Sequence, residues 1–527
     1  MLMTPVTSFI ELPPELIIAV LERLDISSLL SCRALCRLLC QIVDQDTNLS
    51  YKIELEIAGQ DDGINSLPSI HKLGKLKKQQ AAWDDLEWTG EVEYPILDDL
   101  WELFGNVLAQ RSNEGTFLFR QLPSTFRDVP ERQWSIKPDG PRYVRDFGMD
   151  PTQDLLVLIE APRRGNWGRL HCKAMSTGMK HPIVSHSGVI VHAQEITIPL
   201  SYTIQISGDF IGLLHHYSNE NEFSVWNWKT GHLELDLFDV AIKSFCFLSE
   251  CHVVLTMFTP GDHIKLGLMV VDFLRESSEH KACSEAQHCY TLCYPALSRD
   301  AHPVNFSIRS DPSPAWVPNQ NLEVPFHLSP NNRIFVVFLS AIGQSERHFL
   351  FLVVTQKTLL KHKNVMDSEE KEVEWRVWGS DTRILDLCPI NTSFMTWACY
   401  VHGSKFVITR ANFDDDFAEN RATLLVFDFN QNALKRALSQ GASTVSEPDT
   451  SDASQGPSCC ITSATTLPAD VFDSEVTTTL PYRLGSLPFE PSRAPFAVMC
   501  SEDSLIAVDV RTPHNLDINR VFRVYTF

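Results

Sequence analysis

Positive charge is scarce in this sequence. Across 527 residues, 45 Lys and Arg stand against 66 Asp and Glu, a formal net charge of −21. Binding to phosphate backbones draws on clustered cations. The one obvious basic run, Lys72, Lys75, Lys77 and Lys78, reads as a solvated helix face or a linker. No nucleic-acid partner is expected. Long hydrophobic runs are missing too, and nothing is long enough to span a bilayer. No N-terminal stretch joins a basic segment, an apolar run and a small-residue cleavage site. Neither a membrane partner nor a secretory leader is expected, so the acceptor patterns Asn305-Phe306-Ser307 and Asn391-Thr392-Ser393 carry no glycosylation meaning.

Catalytic signatures are also lacking. There is no G-x-x-x-x-G-K-[ST] to cradle a phosphate, no H-E-x-x-H to hold zinc on a helix, and no G-x-S-x-G elbow to raise a serine. The 14 cysteines form no disulfide ladder. Cys32, Cys36 and Cys40 fall at i, i+4 and i+8, a helical stripe of small hydrophobes, and a reducing cytoplasmic or nuclear compartment fits. His280, Cys283, His288, Cys289 and Cys293 cluster in one segment, but their spacing matches no closed zinc pattern and paired CxxC knuckles are absent. Asp414-Asp415-Asp416 reads as an acidic loop facing water, and His215-His216 as the polar end of an apolar strand. No catalytic, cofactor or metal residue is assigned, no cofactor is expected, and the chain is not expected to be an enzyme. A carboxylate pair placed for acid–base work is compatible with so acidic a chain, though nothing selects one.

What is present begins at residues 11–59. Pro13 and Pro14 suit a first helical turn, where the missing amide hydrogens would lack partners anyway. Leu16, Ile17, Val20, Leu21 and Leu24 then recur at helical spacing. Asp25, Ser27 and Ser28 offer oxygens to cap a new helix. Leu29, Leu30, Leu35, Leu38, Leu39, Ile42 and Val43 supply a second apolar set. Three short helices this rich in leucine bury too little surface to be comfortable alone. The stretch reads as half of an interface.

Leu12-Pro13-Pro14-Glu15-Leu16, the Leu24-Asp25 turn, the Leu29-Leu30 pair and Cys32-Arg33-Ala34-Leu35-Cys36-Arg37 resemble an F-box. The continuation from Tyr51 to Gly59, with Ala82-Trp83 and Leu86-Glu87-Trp88, is similar to a fungal branch of F-box proteins. Leu39 stands where many F-boxes carry a tryptophan, so contacts made by that ring do not transfer. The resemblance implies an interface for a Skp-family adaptor, and Leu12, Pro13, Leu16, Ile17, Val20, Leu21, Leu24, Leu29 and Leu35 are its candidate contacts. Sequence does not sort those that dock from those that pack the helices internally.

Beyond this the texture changes. Short apolar runs such as Leu155-Leu156-Val157-Leu158-Ile159 and Phe335-Val336-Val337-Phe338-Leu339 alternate with Asn, Asp, Gly, Ser and Pro clusters, the pattern of buried strands and tight turns. Val225-Trp226-Asn227-Trp228 resembles a WD-type strand ending. Val270-Val271-Asp272-Phe273, Val426-Phe427-Asp428-Phe429 and Ala507-Val508-Asp509-Val510 present the same signature. Asn227 and Asp272 lie 45 residues apart, within the roughly 40–45 residues of such a blade. The expected fold is α+β multidomain: a three-helix F-box followed by a mainly-β, WD-repeat-like propeller of six or seven blades.

Blades are expected to begin near Tyr143, Val189, Ile242, Phe326, Ile384 and Pro495, with a further strand set before Arg142. The alternating Val521–Phe527 tail is expected to help close the ring. The expected boundaries are 8–59 for the F-box and its extension, 60–114 for a helical and aromatic connector, and 115–527 for the propeller. Segments 275–311, 361–374 and 432–479 read as loops, the last a low-complexity insertion that includes the Ser, Thr and acidic run 443–452 and is a candidate phosphorylation region.

Three functions remain open. The first is a substrate-recruiting subunit of a cullin–RING ubiquitin ligase, reaching the cullin through the adaptor and holding an unknown protein substrate on the propeller. The second is an F-box scaffold acting outside any ligase. The third is a propeller hydrolase with a helical cap, which a deep pocket of convergent carboxylates or histidines would favour.

Overall fold

The computed structural model describes residues 9–98, 100–141, 143–161, 168–192, 201–261, 264–343, 346–387, 400–412, 421–445, 459–490, 495–509 and 520–527. Asn391, Asp414-Asp415-Asp416 and the Ser446–Asp452 run lie outside the described residues.

Helix α1 spans Pro14–Leu21, with Pro13 at its cap as the missing amide hydrogens suggested. Helix α2 spans Ile26–Leu35, and its cap Asp25 accepts from the Ser28 amide at 2.9 Å. Helix α3 spans Arg37–Gln45 and α4 spans Thr47–Ala58. Asp46 caps α4, and Gly59 closes it at φ +66, a left-handed conformation that favours glycine. Lys52 of α4 donates to the Glu22 and Leu24 carbonyls, neutralising the C-terminal end of α1. Cys32, Cys36 and Cys40 do not form one stripe, because the backbone is extended at Cys36 and the helix restarts at Arg37. Cys36 is exposed and the other two are half-buried.

A longer helix, α5, spans Ser69–Asp85 and joins these helices to the β-rich body. No described helix is long and apolar enough to cross a membrane.

Seven sheets of four or five strands follow, antiparallel except for a parallel edge strand, Lys281–Ala282 and Glu372–Val373, in each of two. Blade one holds Trp101–Phe104, Val107–Arg111, Phe117–Gln121 and Arg132–Ile136. Blade two starts at Val144–Asp150, blade three at Ser201–Ser207, blade four at Ile242–Phe247, blade five at His302–Arg309, blade six at Val401–His402 and blade seven at Ala497–Cys500. Neighbouring first strands pack side by side around a central axis. The arrangement is a seven-bladed β-propeller.

Its ring closes across the chain. Blade seven takes three strands from the C-terminal end and its outer strand, Gly90–Pro95, from the segment after α5, pairing Gly90 with Thr526 and Pro95 with Val521. Val521–Thr526 therefore presents no open edge, as its alternation suggested.

Several expected boundaries move. The connector 60–114 is helical only over α5, and its residues 90–111 belong to blades seven and one. Of the aromatic residues that suggested a connector, Trp101 and Phe104 are strand residues, whereas Trp83 lies in α5 and Trp88 between α5 and the strand Gly90–Pro95. Val189 and Ile384 lie in closing strands rather than opening ones. Phe326–Leu328 lies outside the ring and pairs with Gln60–Asp62. Segment 275–311 supplies the Cys289–Cys293 strand of blade four and the first strand of blade five, and Glu372–Val373 within 361–374 adds an edge to blade four.

The described residues of 432–479 hold regular structure too. They include most of the helix Gln431–Ser439 and the strand Cys459–Ile461, which adds an edge to blade six. Polar composition hid this because Ala433, Leu434, Cys460 and Ile461 bury against neighbours distant in sequence.

The repeated strand endings have a common cause at three sites. Asn227, Asp272 and Asp428 each end a third strand and accept from amides of the following turn. Asn227 takes Lys229 at 3.1 Å, Asp272 takes Leu274 at 3.2 Å, and Asp428 takes Asn430 at 3.0 Å. Asp509 ends a second strand instead and binds Arg523 at 2.6 and 2.9 Å.

Candidate docking surface and propeller channel

Burial sorts the nine candidate contacts. Ile17, Leu21 and Leu29 are buried, packing with Leu39, Val43 and Leu49 as the private core of the first helices. They cannot offer surface to a partner. Leu12 and Leu24 are half-buried against that core. Pro13, Leu16, Val20 and Leu35 are exposed. Leu16 and Val20 are one turn apart on α1, so they share a face. Phe9, Ile10, Leu30 and Leu38 are also exposed, which adds apolar surface that the nine candidates omitted. An amphipathic pattern gives the period of a helix but not which of two apolar stripes the neighbouring helix covers, so sequence could not separate these sets. Leu39, the position that departs from the tryptophan pattern, is buried in the same core.

The helices are held to the propeller by α4 and α5. Tyr51 of α4 donates to the Pro325 carbonyl at 2.9 Å, and Asn430 donates to the Ile57 carbonyl at 2.9 Å. Arg436 of the Gln431–Ser439 helix pairs with Glu54. On α5, Trp83 stacks on Phe527 with ring centroids 4.0 Å apart, and Asp84 pairs with Arg483 at 2.8 Å. Gln79 donates to Asp503 at 2.8 Å, and Arg127 of blade one pairs with both Asp503 and Glu502. Burial opposes ionisation of Asp428, yet Arg483 and Lys405 hold its carboxyl down to about 2.

These anchors occupy one end of the ring. Residues 325–328 and 501–503 lie between first and second strands, and Asn430 lies between third and fourth strands. An antiparallel meander puts both kinds of turn at the same end. The other end carries the second-to-third turns and the blade-to-blade connections.

A channel of about 780 Å³ is lined by the first strands of blades one to five. Glu102, Asp146 and Asp311 face it, as do Lys243 and Arg309. Burial, with Asp146 and Asp311 as like charges, pushes Glu102 up to about 8. Burial likewise raises Asp311 to about 7 and Asp146 to about 6. These groups hold or release protons near neutrality, which is the condition for acid–base work or for binding a polar group. None was singled out in the sequence. Glu102 and Asp146 lie within first strands and Asp311 lies just beyond one, a placement that no pattern in the sequence marks.

Two further expectations meet the structure here. His215 is buried, not at a polar strand end, while His216 lines the channel. In the 280–293 segment, Cys283 and Cys289 join an apolar core, and His280 reaches Asp236 of blade three at 3.2 Å.

The geometry defines a helical module with exposed apolar residues, fixed to one end of a seven-bladed propeller. Residues 9–51 match the F-box domain model, so the chain carries an F-box domain ahead of its propeller. No curated protein matches the chain. Among solved structures, one described as a dipeptidyl aminopeptidase IV from Bacteroides ovatus is similar at 9% identity, over 64% of this chain and 47% of its own, with a TM-score of 0.18. The chain thus spans about half that protein's length, and so low a score supports no inference about it.

Proposed function

We propose that this protein recruits a protein substrate to a cullin–RING ubiquitin ligase. The F-box binds a Skp-family adaptor, the adaptor binds the cullin, and the propeller holds the substrate. The observation that carries this reading is the F-box domain at residues 9–51 with Pro13, Leu16, Val20 and Leu35 left exposed and apolar. The mechanism is proximity. Holding a substrate lysine near the ligase raises its effective concentration, and this chain need do no chemistry. Anchoring through α4 and α5 supports that role, because a fixed offset between adaptor and propeller limits where the substrate is presented. The end of the ring opposite the helices is the surface we assign to the substrate.

The channel carboxylates Glu102, Asp146 and Asp311 favour a second reading, a propeller hydrolase capped by helices. One experiment separates the two, and also separates both from a scaffold outside any ligase. Partners captured by proximity labelling are followed for ubiquitin-dependent turnover in cells carrying the wild type, Leu16→Asp/Leu35→Asp or Glu102→Gln. Recruitment requires that the leucine variant stabilise a partner and that Glu102→Gln leave turnover intact. Partners whose lifetime ignores the leucines would exclude the ligase role, and a turnover lost only in Glu102→Gln would favour the hydrolase.

A further inference from the structure

Blade three holds a group of ligand-type side chains that neither docking nor the channel uses. His215 is the last but one residue of the strand Phe210–His216, and Glu222, near the start of the strand Asn221–Asn227, is its direct partner in register. Asp236 lies in the adjoining strand His232–Asp239, opposite Ser224 and so on the same face as Glu222. His192 enters from blade two, just after its outer strand Val189–Val191. Its Nε2 lies 2.7 Å from Glu222 Oε1. His280 approaches from outside, with Nδ1 3.2 Å from Asp236 Oδ2.

Four of these side chains are deeply buried: His192 is 6%, His215 2%, Glu222 5% and Asp236 4% exposed. Each nevertheless has a buried polar atom without a hydrogen bond, namely His192 Nε2, His215 Nδ1, Glu222 Oε1 and Asp236 Oδ1. His192 Nε2 and Glu222 Oε1 face each other as an ion pair, which leaves His215 Nδ1 and Asp236 Oδ1 without a hydrogen bond. Buried polar atoms are almost always satisfied, so these two beside the pair signal a missing partner. A cavity of about 10 Å³, lined by His192 and His215, lies beside them. That is space for a single small occupant. Tyr202 and Trp226 stand edge-on to His215 and His192 and fix the ring planes.

We propose that His192, His215 and Glu222 bind a divalent transition-metal ion of the zinc class, joining blade two to blade three. The ligand atoms of these three residues already lie within 4.8 Å of one another. Ligands on a tetrahedral zinc are roughly 3.3 Å apart, given metal–ligand lengths of about 2.0–2.2 Å, so rotamer shifts of about an ångström close the shell. Two imidazoles with a carboxylate suit zinc better than calcium or magnesium, which prefer oxygen alone. Asp236 meets Glu222 and His280 in an adjoining group, which makes it the nearest further carboxylate for a fourth ligand, and His280, bonded to it, serves as the outer partner that orients it. Burial of all four nearest groups makes this a closed structural site without an open coordination position. The inference is independent of the docking reading.

The test uses the full chain, stripped with chelator and then given Zn²⁺ alone. The expected result is one zinc retained per chain after desalting, with a rise in Tm. Glu222→Gln and His215→Asn, which keep side-chain shape, should each weaken zinc binding at least tenfold. His280→Gln, at the edge of the cluster, should fold normally and weaken binding by roughly 10- to 100-fold, as loss of an outer-shell partner does. Cobalt in place of zinc should give ligand-field bands without a thiolate charge-transfer band. Failure of the wild type to retain zinc overturns the proposal. So does undiminished binding in the folded variants, or a thiolate band, which would place the ion on cysteines elsewhere.

Discussion

If the exposed face of α1 and α2 is the adaptor surface, truncating it must weaken adaptor binding without unfolding the F-box. Leu16, Val20 and Leu35 are 54%, 43% and 73% exposed. Complete burial of such a side chain is worth roughly 1.5–3 kcal/mol, so covering these fractions yields about 1 kcal/mol each for Leu16 and Val20 and about 1.5 for Leu35. Partner coverage is incomplete and truncation to alanine keeps one carbon, so roughly 3 kcal/mol for the triple alanine variant is an upper figure, about a hundredfold in Kd. Stability should barely change, because surface substitutions usually stay within about 0.5 kcal/mol. Leu21→Ala is the matched control. Its side chain is fully buried, so the same chemistry should cost the F-box about 2–5 kcal/mol of stability. Binding is read by surface plasmon resonance against a recombinant Skp-family adaptor, and folding by thermal unfolding of the same preparations. A triple variant that binds as tightly as the wild type would refute the reasoning, whatever Leu21→Ala does.

The remaining predictions concern the join between helices and ring. Asp503 is fully buried and pairs with Arg127 while accepting from Gln79, so Asp503→Asn should cost about 1.5–3 kcal/mol by weakening charge-assisted hydrogen bonds, with Glu502 still facing the guanidinium; an unchanged denaturant midpoint would contradict this. Asp428 is held at about 2 against an ordinary 3.8, so the stability supplied by its ionised form is complete above about 3.8 and is lost as pH falls toward 2. The stability gap between wild type and Asp428→Asn should therefore narrow across that window, and a gap independent of pH would dispose of the assignment. Replacing residues 90–95 with a Gly-Ser linker of equal length should expose the Val521–Thr526 edge and raise light scattering on concentration; a monodisperse variant would show that ring closure does not depend on that strand. Gly59→Ala should loosen the F-box, since φ is +66 and the added carbon would run into the Asn332 side chain; protease sensitivity between α4 and α5 is the readout.

Local features were legible where cause and effect sit close together in sequence. The proline start of α1, the Asp25 cap and the turn-fixing role of Asn227, Asp272 and Asp428 depend on residues within a few positions of each other. Strand existence was legible for the same reason, since continuous apolar runs announce burial on both faces. Blade phase was not. Val189 and Ile384 close blades rather than open them, and a strand's rank depends on which neighbour it pairs with, not on its own residues. The misplaced connector had the same origin, because Gly90–Pro95 becomes a propeller strand only through Val521–Thr526, more than four hundred residues away.

The sequence by itself determined that this chain has leucine-rich helices of F-box type, a β-rich body of repeated turns, and a net acidic charge. Periodicity, capping and charge are properties of short stretches, so they survive without coordinates. Only the tertiary structure decided that there are seven blades, which apolar residues of α1 and α2 stay exposed, which end of the ring the helices cover, and that His192, His215 and Glu222 converge. Each of these is a relation between residues brought together by folding, and burial or convergence of that kind has no signature in any one segment.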